Sequence, residues 1–170
     1  MSEVVLLPAT VEHLTALRED RTAFGELLGA EVPDGWPEFP EAIDFTLEKL
    51  TEHPHQADWW MHFFLADGGA LLVGSGGFVG PPSGGVVELG YEIAPKFRNQ
   101  GLATAAARAM VEKAASASNA VRMVIAHTLA HENPSTGVLR RLGFSRVAEL
   151  DDPDEGPIWR WELPMAAAAE

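Results

Sequence analysis

The chain has 170 residues, of which 46% are hydrophobic, and it contains no cysteine. This length suits one domain with one sizeable core, the lack of cysteine excludes disulfides and thiolate chemistry, and no apolar run approaches the roughly 20 residues that cross a bilayer. The formal net charge of −13 argues against nucleic-acid or anionic-lipid partners, and it either serves solubility or favours a cationic substrate such as an amine.

Hydrophobic periodicity and turn residues predict alternating groups of helices and strands. Thr10 is a plausible N-cap, the segment 32–40 contains three prolines that forbid regular structure, and Asp67-Gly68-Gly69 is typical of a hairpin turn. In chain order we predict a strand at 4–7, helices at 10–20, 21–28 and 41–52, strands at 59–66, 70–79 and 86–93, a helix at 101–116, a strand at 121–128, a helix at 134–142, and strands at 144–150 and 158–163.

This order predicts an α/β fold of the α+β type, with a single mixed, mostly antiparallel sheet of about six to seven strands and helices on both faces. We expect residues 1–164 to form one domain and residues 165–170 to be a frayed tail. The composition is compatible with a cytoplasmic protein, which is our expectation.

The segment between the strand at 86–93 and the following helix carries the clearest functional signal. It consists of Arg98, Asn99, Gln100, Gly101, Leu102, Ala103 and Thr104. The first turn of a helix has unpaired backbone N–H groups and the positive end of the helix dipole, and glycine lets an anion approach the backbone closely. Arg98 adds a bidentate phosphate donor. The segment predicts a phosphate-binding turn, with an ordinary helix start as the alternative.

Gly90 interrupts the strand before this turn. A glycine inside a strand indicates a β-bulge or a close backbone approach. A bulge would part this strand, the fourth, from the fifth, and would leave a slot above the phosphate site.

Arg98, Gly101 and Ala103 match the acyl-CoA-binding pattern of the GNAT acyltransferase superfamily, which is Arg or Gln, two residues, Gly, one residue, then Gly or Ala. The segments 126–129 and 132–144 resemble the branch that contains the ribosomal-protein N-terminal acetyltransferases. The motif match runs from Glu88 to Phe144, and the element order matches over nearly the whole chain. The resemblance implies a sheet splayed between its fourth and fifth strands, acetyl-CoA as co-substrate, no metal, and acetyl transfer to a primary amine of a small molecule or a peptide N-terminus.

The resemblance also implies a role for each matched position. Backbone N–H groups from Gln100 to Ala103 would hold the pyrophosphate, supported by Arg98 and the Thr104 hydroxyl. The backbone of Ile93 would pair with the pantetheine arm, as would the side chain of Asn133. Ser135 would lie near the thioester sulfur or the phosphates, and Arg140 or Arg141 would reach the nucleotide phosphates. For Asn133 and Ser135, helix capping is the alternative role.

Amine attack on a thioester requires a base and a donor to the carbonyl oxygen. We expect Glu88 to be the general base, with Glu92 as second choice and His127 as a competitor; each has the alternative of a purely structural role. A backbone N–H between Leu89 and Tyr91 would stabilise the oxyanion. Many members of the family carry a tyrosine as general acid where this chain has Leu139. Ser135 or water would then donate the proton, the thiolate would leave unaided, or the protein would bind acyl-CoA without turnover.

Aromatic residues near the N-terminal helices are candidates for the acceptor site. Trp36 and Phe39 lie in the proline-rich segment and either form an apolar pocket or anchor the core, and we place Glu92 with them. Trp159 and Trp161 share one face of the last strand and either pack internally or form a homodimer surface. The sequence does not identify the acceptor amine.

Overall fold

The computed structural model describes residues 3–117 and 121–165, and we name its elements in chain order. Short 3₁₀ helices occupy Pro54–Trp59, Asp67–Gly69 and Pro95–Phe97. The strands and α-helices are β1 (Val5–Pro8), α1 (Val11–Glu19), α2 (Arg21–Leu28), α3 (Glu41–Glu52), β2 (Met61–Ala66), β3 (Leu71–Phe78), β4 (Val86–Ile93), α4 (Leu102–Ala115), β5 (Met123–Leu129), α5 (Pro134–Arg141), β6 (Ser145–Asp152) and β7 (Gly156–Pro164).

The seven strands form one sheet in the order β1-β2-β3-β4-β5-β7-β6. Only the β4–β5 pair is parallel; the other neighbouring strands are antiparallel. The parallel pair requires a crossover, which α4 supplies. The predicted mixed, mostly antiparallel sheet is therefore confirmed.

Two hydrophobic clusters cover the two faces of the sheet. Phe64 belongs to the cluster that contains the buried residues of α4 and α5, whereas its neighbour Phe63 belongs to the cluster that contains those of α1, α2 and α3. Adjacent strand residues point to opposite faces, so the helices lie on both faces as predicted. Side chains of Thr10, Asp20 and Asn133 cap the N-termini of α1, α2 and α5.

Two expectations need correction, and a third lies almost wholly outside the described residues. Residues Pro54–Trp59 form a 3₁₀ helix, so β2 begins at Met61 and neither Trp59 nor Trp60 lies on a strand. The predicted bulge at Gly90 is absent, because the pairing of β3 with β4 runs without a register shift through Gly77 and Gly90. Of the tail predicted at 165–170, only Met165 lies within the described residues.

Candidate active site

The gap between β4 and β5 is the first component of the site. The two strands pair over Val86–Glu88 and Met123–Ile125 only. On its other side β5 pairs with β7 along Met123–Leu129, and from Ala126 onward it no longer pairs with β4. The strands therefore part beyond Glu88, as predicted, although no bulge separates them.

The register of β3 determines which amides face this gap. The Val79 N–H donates to the Glu88 carbonyl (3.0 Å) and the Ala94 N–H to the Val73 carbonyl (2.8 Å). In an antiparallel pair, alternate residues direct their backbone groups to the partner strand. The intervening residues Tyr91 and Ile93 therefore direct their N–H groups away from β3, into the gap.

The N-terminus of α4 is the second component. Asn99 and Gly101 adopt left-handed conformations, with φ values of 63° and 78°. Within the described part of the chain, no side chain caps this helix, and a Cβ atom built on Gly101 meets no atom within 4 Å. The first-turn N–H groups of α4 therefore have no side-chain acceptor, as in α3 but unlike in α1, α2 and α5, and the space beside Gly101 is open.

Arg98 connects the end of β4 to the N-terminal segment. Its Nε donates to the carbonyl of Ile93 (2.9 Å), and its guanidinium forms an ion pair with Glu38 (3.1 Å). The Ile93 carbonyl thus already accepts one hydrogen bond, and the Ile93 N–H, which faces the gap, is available to pair with a ligand there. Direct support of a phosphate by Arg98 would require the exposed Glu38 contact to open.

Glu88 and His127 form a pair where the two strands begin to diverge. The Nδ1 atom of His127 lies 3.0 Å from Oε2 of Glu88, and both side chains are partly exposed. Two residues that sequence analysis treated as competing bases are thus one hydrogen-bonded unit. Because the alternation of β4 is unbroken, Glu88 and Glu92 lie on the same face of the sheet.

The carboxylate of Glu92 fixes the segment before α3. Its Oε1 accepts a hydrogen bond from the backbone N–H of Glu38 (2.7 Å). Burial raises the pKa of Glu92, and hydrogen bonds from the backbone of Glu38 and Phe39 oppose this rise. Glu92 therefore positions Phe39 as well as providing a carboxylate.

A buried hydroxyl that sequence analysis missed lies on the other face of β4. Among the described side chains, Tyr91 Oη is buried without a hydrogen-bond partner. Burial raises the pKa of Tyr91 to about 12, and the nearby Ser135 side chain opposes the rise. Leu139 is 1% exposed in the core and supplies no proton donor. The available signal was that Tyr91 is the only tyrosine of the chain.

Asn133 and the arginines of α5 differ in how they are engaged. Asn133 accepts from the Thr136 N–H (3.1 Å) and donates to the His131 carbonyl (2.9 Å), so its amide caps α5. Arg140 is held by both oxygens of Glu132. Arg141 is exposed and has no ion pair in the described part of the chain, so it is the better placed of the two arginines for a free anion.

The aromatic residues of the N-terminal segment separate into two environments. Phe39 lines a cavity on the α3 face of the sheet, together with Glu92. Trp36 lies in the core instead: it is 2% exposed, is stacked on Phe24, and donates from Nε1 to Ser75 Oγ (2.9 Å). The Trp159 and Trp161 rings pack against each other, with centroids 6.3 Å apart.

Comparisons with known proteins agree with this geometry. The model of the family described as "Acetyltransferase (GNAT) domain" matches residues 4–145. No curated protein sequence matches the chain.

Solved structures with the same fold include three acetyltransferases. RimL, described as a ribosomal L7/L12 alpha-N-protein acetyltransferase in complex with coenzyme A, has a TM-score of 0.69 at 17% identity, over 97% of this chain and 96% of that one. The spermidine/spermine N-acetyltransferase SpeG of Vibrio cholerae has a TM-score of 0.67 at 14% identity, over 96% and 93%. RimJ of Mycobacterium smegmatis, in complex with CoA-disulfide, has a TM-score of 0.66 at 19% identity, over 95% and 81%.

The chain belongs to the GNAT acetyltransferase family. The predicted family, fold and enzyme class are thereby confirmed, and the coenzyme A complexes of RimL and RimJ agree with the predicted co-substrate.

Residues 3–117 and 121–165 contain no cluster of three or more His, Asp or Glu side chains suited to a metal ion. No helix in the same ranges is long and apolar enough to span a membrane.

Proposed function

We propose that this protein is an N-acetyltransferase that moves the acetyl group of acetyl-CoA to a primary amine, on a small molecule or at a peptide N-terminus. The observation that carries the proposal is the uncapped N-terminus of α4 at the open end of the β4–β5 gap. One element offers free amides to a diphosphate, and the other offers an extended slot with inward-facing amides. Acetyl-CoA would supply the activated acyl group.

Different residues would bind different parts of acetyl-CoA. The amides from Gln100 to Ala103 hold the diphosphate, with the Thr104 hydroxyl beside them. The Ile93 N–H pairs with the pantetheine arm, and Asn133, Ser135 and Arg141 lie along α5 toward the remainder of the coenzyme. The left-handed conformations of Asn99 and Gly101 shape this turn.

Glu88 is the proposed general base, directly or through water. The amine nitrogen forms a bond to the acyl carbon while the carbon–sulfur bond breaks, and the proton lost from nitrogen passes to Glu88. His127 orients the Glu88 carboxylate through the 3.0 Å contact. The Tyr91 N–H donates to the carbonyl oxygen as it gains negative charge, and loss of one such donor typically costs about 2.7–4 kcal/mol.

The departing sulfur lacks the proton donor that many family members place at the position of Leu139. Ser135, at the start of α5, or water would protonate the thiolate. The buried Leu139 also favours a second candidate function, a protein that binds acyl-CoA without turnover.

Release of coenzyme A distinguishes the two functions. The chain has no cysteine, so a thiol-specific chromogenic reagent reports only the thiol that transfer liberates. Amine-dependent thiol release supports the transferase. Calorimetric binding of acetyl-CoA without release against a broad panel of amines supports the binding protein.

We also propose a cytoplasmic location, and a homodimer is a proposal that sedimentation would test.

A further inference from the structure

A cavity of about 240 Å³ opens on the α3 face of the sheet. Its floor is the cross-strand pair of Gly77 in β3 and Gly90 in β4. The same face carries Glu88 and Glu92, two residues to either side of Gly90. The cavity walls are largely aromatic and aliphatic: Phe39, Phe45, Trp60 and Val79.

The two floor glycines differ in what requires them. A Cβ on Gly77 would lie 1.9 Å from the carbonyl oxygen of Trp60, so packing demands glycine there. A Cβ on Gly90 meets nothing within 4 Å, and Gly90 has no positive φ. Glycine inside a strand costs roughly 0.5–1 kcal/mol relative to alanine. The fold therefore gains nothing from Gly90, and what the missing side chain provides is open space above β4.

The chemistry of the walls restricts what fills this space. Phe39, Phe45 and Val79 are 50%, 48% and 58% exposed, which concentrates large apolar side chains at one opening. Among the described residues that line the cavity, Glu92 alone carries a carboxylate. The Lys49 ammonium lies 5.5 Å from the Phe45 ring centroid, so a second positive charge on a ligand would meet repulsion beside this wall.

The cavity also lies at the right place for the reaction. Gly90 and Glu92 bond through their backbones to β3, and the intervening Tyr91 faces the gap. The proposed function places the thioester in the gap between β4 and β5. An amine bound over Gly90 in β4 is therefore only one strand width from the thioester.

We propose that the acceptor is a primary amine with one positive charge and an apolar body about the size of one aromatic ring, bound over Gly90 in this cavity. The inference rests on the proposed acetyl transfer and specifies its substrate class. An apolar cavity of about 150 Å³ is enough for benzene, so about 240 Å³ accommodates a ring and a short arm. A small arylalkylamine and a peptide whose first residue is aromatic share this chemistry.

A panel of amines tests the class with acetyl-CoA and the full chain. The probes are 2-phenylethylamine, the tripeptide Phe-Gly-Gly, ethylamine and spermidine, followed by thiol release and, with coenzyme A present, by calorimetry. We expect kcat/KM for one of the two aromatic probes to exceed that for ethylamine and for spermidine at least tenfold. Which aromatic probe is preferred separates a free amine from a peptide N-terminus as the source.

Gly90→Val is the decisive variant, because a Cβ atom at this position meets no atom within 4 Å and valine suits a strand. We expect Gly90→Val to weaken binding of the preferred aromatic amine at least tenfold. The acetyl-CoA affinity and the thermal stability should not decrease. Phe45→Ala should also weaken binding of that amine. Leu27→Ala is the matched control, since Leu27 is 41% exposed and does not line the cavity.

The outcomes separate this inference from the proposed function. Preference for spermidine, or an aromatic amine that binds Gly90→Val as tightly as the wild type, overturns the substrate class while thiol release leaves the transferase intact. A different result is that no amine yields thiol, while an aromatic amine binds to the wild type and not to Gly90→Val. That result supports the cavity as the amine-binding site and refutes the proposed acetyl transfer. Absence of calorimetric binding by both aromatic probes overturns the inference whatever the turnover.

Discussion

The buried histidine of β2 should make stability depend on pH in a defined way. His62 is fully buried, its Nε2 lies 2.7 Å from Lys113 Nζ, and its Nδ1 lies 2.9 Å from the Trp60 carbonyl. Because the ammonium can only donate, Nε2 must accept and Nδ1–H must donate, so the imidazole is neutral. Burial, and next the Lys113 charge, lower the pKa of His62 to about 4, against the weaker opposing effects of the Trp60 carbonyl and Asp58.

Proton linkage determines whether stability rises or falls with pH. Between pH 6.5 and about 4 the unfolded chain binds a proton at His62 that the folded chain does not, so stability falls as the pH falls. From pH 7 to pH 5 this one residue lowers the free energy of unfolding by about 2 kcal/mol. Below pH 4 the decrease approaches about 3 kcal/mol.

The substitution His62→Gln isolates this contribution, because glutamine keeps a donor and an acceptor but does not titrate. We would measure free energies of unfolding in urea for both proteins at pH 7 and pH 5. The wild-type value should decrease by about 2 kcal/mol more than that of the variant. Equal decreases in both proteins would refute the buried neutral imidazole.

Three further predictions concern the site and its support. Gly101→Glu should weaken acetyl-CoA binding at least a hundredfold, about 2.7 kcal/mol, by strain and charge repulsion, whereas Gly101→Asn, which tolerates the left-handed conformation, should bind; equal calorimetric affinities for wild type and Gly101→Glu would contradict the turn assignment. Glu88→Gln should lower kcat by a factor of about 10²–10⁴ with unchanged acetyl-CoA affinity, and His127→Gln should lower it less; a rate for Glu88→Gln that matches wild type across pH removes Glu88 from the mechanism. Trp36→Phe should cost about 1–3 kcal/mol of stability by leaving Ser75 Oγ without its donor, and adding Ser75→Ala should cost little more; strictly additive losses would show that the two do not interact.

Local signals were enough to predict several elements of the fold. The bounds predicted for α2, α3 and β4 are those observed. For the two helices the reason is local, because Asp20 caps α2 and the prolines of segment 32–40 end just before α3. The uncapped turn at Gly101 was predictable for the same reason, since the role proposed for it depends on the backbone conformation of a few consecutive residues.

Features that depend on distant contacts could not be predicted. For Trp36 the sequence leaves a pocket wall and a core anchor open, and only the hydrogen bond to Ser75, 39 residues away, decides for the core. Gly90 was interpreted as a bulge because a glycine in a strand has the same local pattern whether the backbone bends or the space above it is used. Only the register with β3 distinguishes the two. The burial of Tyr91 likewise depends on distant elements, namely α4 packed against β4 and Ser135 in α5.

The central claim is that free amides at the start of α4 and inside the β4–β5 gap bind one acetyl-CoA molecule. The most direct measurement is a titration of ¹⁵N-labelled protein with acetyl-CoA, followed by amide chemical shifts. The account predicts that the largest changes occur at Gln100 to Thr104 and at Tyr91 and Ile93. Saturable binding that leaves those amides unchanged while others shift would contradict it.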